Sequence, residues 1–110
     1  MINKRGNANN VDLNRNFPTN NYIVTTFDDG TTSGKFASSE IETKFLLDIT
    51  ENNKFDLILS FHAPFEIVNY DGNAKEISQE ISKITGYPLQ DNIGYPTPGS
   101  FGTFCGIEKN

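Results

Sequence analysis

An α/β fold is predicted by two helical patterns that flank one nearly continuous apolar run. Residues 39–53 and 73–85 each carry apolar side chains at the three- and four-residue spacing of a helix. Between them, residues 55–61 read FDLILSF, which is typical of a strand buried on both faces. The order helix, buried strand, helix predicts a sheet with helices packed on its faces.

The helix boundaries are marked by capping residues. Ser39 begins the first helix, and Glu42, three positions later, completes a capping box. That helix is expected to end near residues 52–53, and Gly86 closes the second helix. Turn-forming residues dominate the first 38 positions, where we expect loop with a brief strand at Val11 and Leu13. The predicted buried faces are Phe45, Leu46 and Ile49 in the first helix and Ile77, Ile81 and Ile84 in the second.

Composition narrows the classes of function. At 110 residues the chain makes one domain at most. Its net charge is −5, from 14 acidic and 9 basic residues, and the basic residues form no stripe, which argues against a nucleic-acid partner. No apolar run approaches the length of a membrane span. The single cysteine, Cys105, cannot form an internal disulfide, so we expect a cytoplasmic location.

Two groups of residues carry possible chemistry. Residues 5–18, RGNANNVDLNRNFP, place Arg5 nine positions before Asn14, which is followed directly by Arg15. Arginine binds carboxylates with a rigid fork of donors, and asparagine adds an amide donor, so these three predict a clamp for a carboxylate and an oxyanion. A solvated polar loop is the alternative. His62 follows the predicted strand, where ligands bind in open α/β sheets, and its imidazole is a preferred zinc ligand.

Three segments together resemble the signature of the M14 zinc carboxypeptidase family. They are residues 5–18, residues 60–64 (SFHAP) and residues 94–106 (GYPTPGSFGTFCG). Within the family they are most similar to members that cut murein peptides between γ-D-glutamate and diaminopimelate. The resemblance implies a three-layer α/β/α sandwich with a mixed sheet, of which residues 1–110 would be the central part of a single domain. The family's upstream His-x-x-Glu zinc motif and its downstream catalytic glutamate are not found in this sequence.

The same resemblance implies roles for five residues. His62 would be a zinc ligand, Arg5 would stabilise the oxyanion, Asn14 and Arg15 would bind the substrate's terminal carboxylate, and Tyr95 would contact the substrate backbone. The expected partner is a peptide with a free carboxylate, and the chain alone is expected to be inactive. Two alternatives stay open. One is a non-catalytic peptide-binding remnant, and the other is a hydrolase that uses Cys105 as nucleophile and His62 as base.

Overall fold

The computed structural model describes residues 4–63 and 65–109. Helix α1 spans Ile41–Asn52 and helix α2 spans Lys75–Thr85. Strands β1 (Val68–Asn69) and β2 (Leu89–Gln90) flank α2 in the chain. The shorter helical segments are a 3₁₀ turn at Leu13–Arg15, a single turn α3 at Phe101–Thr103 and a π-helix at Phe104–Glu108.

The two strands form a parallel pair with α2 as the crossover between them. Val68 pairs with Leu89 and Asn69 with Gln90. Such a connection is long because the chain leaves the first strand at its carboxyl end and enters the second at its amino end, on the opposite side of the sheet. The α/β class is therefore confirmed. The described residues do not build the three-layer sandwich with a mixed sheet, since their paired strands are parallel only.

Helix α1 ends where the sequence predicts, at Asn52, but it begins differently. The N-cap residue is Glu40, and no side chain caps the helix there. The predicted capping box of Ser39 and Glu42 is therefore wrong. The Ser39 hydroxyl instead donates to the Glu40 carboxylate and accepts from the Asn16 amide, because both partners lie beside it in the fold. Helix α2 begins two residues later than predicted and is closed by Gly86 as expected.

The prediction of a buried strand at residues 55–61 is also wrong. This segment is extended coil, it is exposed throughout, and Phe61 is 94% exposed. The predicted buried face of α1 is likewise open, with Phe45 and Leu46 exposed. A strand needs a hydrogen-bonded neighbour and an apolar face needs a second layer, and nothing in residues 4–63 or 65–109 supplies either to these segments.

The packed core lies where the two ends of the described chain meet. Val11, Phe17 and Phe104 are its buried apolar side chains. The Phe17 ring lies 4.9 Å from that of Phe101 and 6.0 Å from that of Phe104, at tilted angles that aromatic pairs favour. Val11 forms an isolated bridge with Thr32, which replaces the brief strand predicted there. Among the described residues no helix has both the length and the apolar character to cross a membrane.

Candidate functional site

The Arg15 guanidinium is buried without an acidic partner. Arg15 is the last residue of the 3₁₀ turn, which Asp12 begins by accepting a hydrogen bond from the Asn14 backbone N–H at 3.1 Å. Only 7% of Arg15 is exposed, and its Nη1 donates to the Asn14 carbonyl oxygen at 2.7 Å. No ion pair joins it to a carboxylate within residues 4–63 and 65–109. A buried arginine is normally paired, so this one has donors to offer an anion.

The Asn14 side chain has a fixed orientation. Its Oδ1 accepts a hydrogen bond from the Phe101 backbone N–H at 2.9 Å. A backbone N–H only donates, so the atom facing it must be the amide oxygen, which assigns the amide orientation. The Nδ2 group therefore points away from Phe101, and no acceptor in the described part of the chain binds it. Asn14 thus keeps an unbound amide donor on the residue that precedes Arg15.

The loop that contains Tyr95 is held against residues 14–19 by two hydrogen bonds of Gly99. The Phe17 N–H donates to the Gly99 carbonyl at 2.9 Å, and the Gly99 N–H donates to the Thr19 hydroxyl at 3.0 Å. Gly99 has a φ of +72°, and a Cβ there would lie 2.5 Å from the Arg15 carbonyl oxygen. Only glycine permits both this backbone angle and this approach. The loop therefore closes against the residues that carry the clamp.

Arg5 is held by Asp12 on the clamp segment. Its Nε donates to Asp12 Oδ2 at 2.7 Å, and Asp12 is 6% exposed. This hydrogen bond is the main reason that the Arg5 pKa is raised, with the charges of Asp12, Asp29 and Tyr95 adding to it against the effect of burial. Tyr95 is about half exposed.

Asp12 is the partner that sequence reasoning missed. The sequence leaves two roles open for Asp12, which alternates with Val11 and Leu13: it could orient a neighbouring ligand, or it could be structural, and the structural role is favoured. In the structure its two carboxylate oxygens make different contacts. Oδ1 caps the 3₁₀ turn by accepting from the Asn14 N–H, and Oδ2 accepts a hydrogen bond from Arg5 Nε. Nothing in the spacing signals the second contact.

The asparagines around the clamp fasten it to α1. Asn16 is fully buried, and its Nδ2 donates to the backbone carbonyls of Ser33 and Phe36 while its Oδ1 accepts from the Glu40 N–H. Asn7 and Asn9 donate to the Glu40 carboxylate at 2.8 and 2.7 Å. These contacts fix the loop that precedes the helix, so the asparagine-rich composition is largely structural.

His62 makes no hydrogen bond or ion pair with the other four predicted site residues. It is exposed, and no hydrogen bond or ion pair connects it to another residue in 4–63 or 65–109. Pro64, part of the SFHAP motif, lies outside the described residues. No group of three or more His, Cys, Asp or Glu side chains among the described residues is placed to hold a metal. A catalytic zinc site commonly uses three protein ligands, so these residues alone do not fit one.

Cys105 lacks the environment of a nucleophile. Burial, together with the nearby Asp71 carboxylate, raises the pKa of its thiol to about 11. The thiolate is the reactive form of cysteine, so this thiol stays protonated and inert at neutral pH. No hydrogen bond in the described part of the chain joins it to His62. The Cys–His hydrolase hypothesis therefore has no structural support.

The sequence of this chain matches a known protein family. The zinc carboxypeptidase family profile matches residues 2–95, and the chain belongs to that family of metallopeptidases. The murein peptide amidase A of Vibrio campbellii is 32% identical over 116 residues, which is 96% of this chain and 46% of the relative. The Escherichia coli enzyme of the same name is 33% identical, over 92% of this chain and 46% of its own length.

A solved structure agrees with this assignment. The crystal structure of murein-tripeptide amidase from Escherichia coli O157 matches with a TM-score of 0.78 at 32% identity, covering 94% of this chain and 48% of that one. The chain spans about half the length of the relatives it matches.

Proposed function

We propose that this chain supplies the substrate clamp of a zinc-dependent hydrolase that cuts the amide bond next to a C-terminal residue. The observation that carries the proposal is the Arg15 guanidinium, which is buried and has no carboxylate partner among the described residues. Asn14 and Arg15 bind the substrate's terminal carboxylate with parallel charge-assisted hydrogen bonds. The free Nδ2 of Asn14, directed away from Phe101, supports this pairing.

In this proposal Arg5 and Tyr95 act on the bond that is cut. Arg5 meets the negative charge that develops on the carbonyl oxygen, and its hydrogen bond to Asp12 holds the guanidinium in one orientation. A donor fixed before the reaction stabilises such charge without reorganising. Tyr95 contacts the substrate backbone from the loop that Gly99 fastens to the clamp.

The proposed substrate is a murein peptide cut between γ-D-glutamate and diaminopimelate. Its support is the set of relatives, which are named murein peptide amidase A and murein-tripeptide amidase. We further propose that residues 1–110 are the central part of one family domain, a three-layer α/β/α sandwich with a mixed sheet. His62 would then contribute one zinc ligand, and the other ligands and the general base would lie on segments outside this sequence.

A chimeric enzyme tests the proposal. This chain would replace the matching half of the Escherichia coli murein peptide amidase, and release of diaminopimelate from murein tripeptide would be measured with and without a chelator. We expect release that depends on zinc and that His62→Ala abolishes together with zinc binding. Lys35→Ala, a change at an exposed residue, is the control and should have no effect. A folded chimera that binds zinc and releases nothing would contradict the proposal.

A non-catalytic peptide-binding role is the second candidate. It is favoured by the combination of a formed clamp with an incomplete metal site in the described residues. In that case the unaltered chain would bind the peptide, and the chimera would bind zinc without hydrolysing it. We propose that the chain alone has no hydrolytic activity, since only one of its residues is assigned to zinc.

A further inference from the structure

The Glu40 carboxylate is buried just before helix α1 and is satisfied by hydrogen bonds. Glu40 is 5% exposed, and no ion pair involves it within residues 4–63 and 65–109. Its Oε1 accepts from the Ser39 hydroxyl at 2.6 Å. Its Oε2 accepts from the side-chain amides of Asn7 and Asn9 at 2.8 and 2.7 Å. A buried carboxylate destabilises the fold unless donors surround it, so Glu40 and these two asparagines hold one another in place.

Both asparagines belong to a turn, residues 7–11, that is closed by its own hydrogen bonds. The Asn7 N–H donates to the Val11 carbonyl, and Asn7 Oδ1 accepts from the N–H groups of Asn9 and Val11, each at 3.0 Å. Two N–H donors at Oδ1 assign the amide orientation, so Nδ2 is the atom that faces the carboxylate. Asn10 has a φ of +61°, which persists only where surrounding contacts determine the backbone. The 7–11 turn is therefore fixed internally, and the carboxylate holds it from outside.

Arg5 follows the position of this turn. Gly6 connects Arg5 to the turn, and a Cβ at Gly6 would lie 2.9 Å from the backbone carbonyl carbon of Asn10. The chain between Arg5 and the turn thus packs closely against it, which a side chain at Gly6 would prevent. The Arg5 side chain is 53% exposed, and the hydrogen bond that it makes within the described residues is to Asp12. The placement of its guanidinium therefore depends on the 7–11 turn as well as on Asp12.

The backbone of Glu40 contacts the segment that carries the carboxylate clamp. Its N–H donates to Asn16 Oδ1 at 3.2 Å, and Asn16, which is fully buried, directly follows Arg15. Ser38 donates its N–H to the Asn16 carbonyl at 2.6 Å and has a φ of +62°. A residue other than glycine keeps that angle only where its contacts require it. Glu40 thus connects the two segments that carry Arg5 and Arg15, the first through its side chain and the second through its N–H.

We propose that Glu40 is a positioning residue, which holds Arg5 at a fixed place relative to the carboxylate clamp so that the guanidinium meets the oxyanion. This inference rests on the proposed function, because that function assigns substrate groups to Arg5 and to the clamp. Removing the Glu40 side chain frees the 7–11 turn and leaves the backbone bond to Asn16 in place. Arg5 is then displaced while the clamp is not. The expected consequence is a loss of kcat without a change in KM, since the oxyanion forms only during reaction.

A double-mutant cycle in the chimeric enzyme tests this role, with kcat expressed per bound zinc ion. Glu40→Ala should lower kcat on murein tripeptide about 10- to 100-fold, because a displacement of about 1 Å can cost that much, and should leave KM unchanged. In the Arg5→Ala background the same change should lower kcat less than about 3-fold, since the group that it positions is already absent. Glu40→Gln keeps an oxygen that can accept from both amides and should recover most of the lost kcat. Glu42→Ala, at an exposed carboxylate whose contacts with Asn7 are 3.3 Å long, is the control and should match wild type.

The outcomes separate this inference from the proposed function. An equal loss from Glu40→Ala in both backgrounds would show a general effect on folding and would overturn the inference alone. A rise in KM in place of the fall in kcat would also overturn it, because the clamp would then be the part displaced. An unchanged kcat in Arg5→Ala, or a folded zinc-bound chimera without activity, would overturn both claims.

A second variant keeps the test decisive if Glu40→Ala does not fold. Asn9→Ala removes one of the two amide donors from the exposed side of the turn and should lower kcat about 3- to 10-fold, the range of one hydrogen bond to a charged group. That loss should disappear in the Arg5→Ala background. A loss that is the same in both backgrounds would contradict the positioning role.

Discussion

Most of the buried charged side chains among the described residues are stabilised by partners within the chain, and one is not. The Asp12 carboxylate is balanced by Arg5, and the Glu40 carboxylate by amide and hydroxyl donors. The Arg15 guanidinium has no opposite charge among the described residues, and it donates to the Asn14 carbonyl oxygen. Local features that oppose stability tend to occur at functional sites. This absence of an opposite charge is why we assign the Arg15 guanidinium to the substrate.

Glu40 provides a test of a balanced charge. Glu40 is 5% exposed, and hydrogen bonds from Ser39, Asn7 and Asn9 lower its pKa below the ordinary value of 4.5. A lowered pKa means that this stabilisation is present above about pH 4.5 and is lost as the pH falls through the folded-state pKa. We expect Glu40→Gln to lower the free energy of unfolding by about 1–3 kcal/mol at pH 7 and by much less at pH 3.

Urea unfolding at the two pH values would measure this difference. Glu66→Gln, at an exposed carboxylate, is the matched control and should stay within about 0.5 kcal/mol of wild type. A penalty for Glu40→Gln that is the same at both pH values would show that the charge of Glu40 is not what its neighbours stabilise.

At the scale of elements, local signals predict the helices and fail for the strands. Helices α1 and α2 end at the predicted residues because helical hydrogen bonds join near neighbours in sequence. The segment 55–61 has a strand-like composition, but a strand forms only beside a partner, and the described residues provide none. The two-residue strands β1 and β2 give too short a sequence signal to predict.

The clamp residues follow from a sequence motif, whereas their surroundings do not. The Asn14–Phe101 hydrogen bond joins residues 87 apart in sequence, and the Gly99–Thr19 bond joins residues 80 apart. Contacts of this kind depend on the whole fold, so spacing within a motif carries no information about them. The same reason explains why the partner of Arg5 could be identified only from the structure.

The end of α2 tests how much a single cap contributes. Gly86 has a φ of +78°, its N–H donates to the Ser82 carbonyl at 2.9 Å, and a Cβ there would contact nothing within 4 Å. Backbone strain is therefore the only cost of a side chain at this position. We expect Gly86→Ala to lower the free energy of unfolding by about 1–2 kcal/mol.

Lys83→Ala on the same helix is the control for Gly86→Ala. It removes an exposed ion pair with Glu80, and exposed pairs contribute little, so the change should be under about 0.5 kcal/mol. Thermal melts of both variants would compare them. A smaller effect of Gly86→Ala than of Lys83→Ala would contradict the assignment of Gly86 as the cap.

At the scale of the whole molecule, the polar clamp is formed while large apolar surfaces are open. The densest groups of exposed apolar side chains lie on α1 and in residues 55–61. Surfaces of this kind are usually covered by another layer of a fold. Together with the coverage of about half of each relative, they agree with the proposal that this chain is one part of a larger domain.

The net charge of −5 does not attract an anionic peptide over long distances. Binding of such a substrate must therefore depend on the local guanidinium groups. Arg15 would touch a carboxylate that is present in substrate and transition state alike, whereas Arg5 would meet charge that develops only during reaction. We therefore propose that these two arginines act at different stages of the reaction.

Steady-state kinetics of the chimera, on the murein tripeptide and its C-terminal amide, would separate the roles of the two arginines. Arg15→Ala should raise KM for the free acid by roughly 30- to 1,000-fold with little change in kcat, and should remove the preference for acid over amide. Arg5→Ala should lower kcat by a similar factor with little change in KM. If Arg15→Ala leaves the preference for the free carboxylate unchanged, the role assigned to Asn14 and Arg15 is wrong.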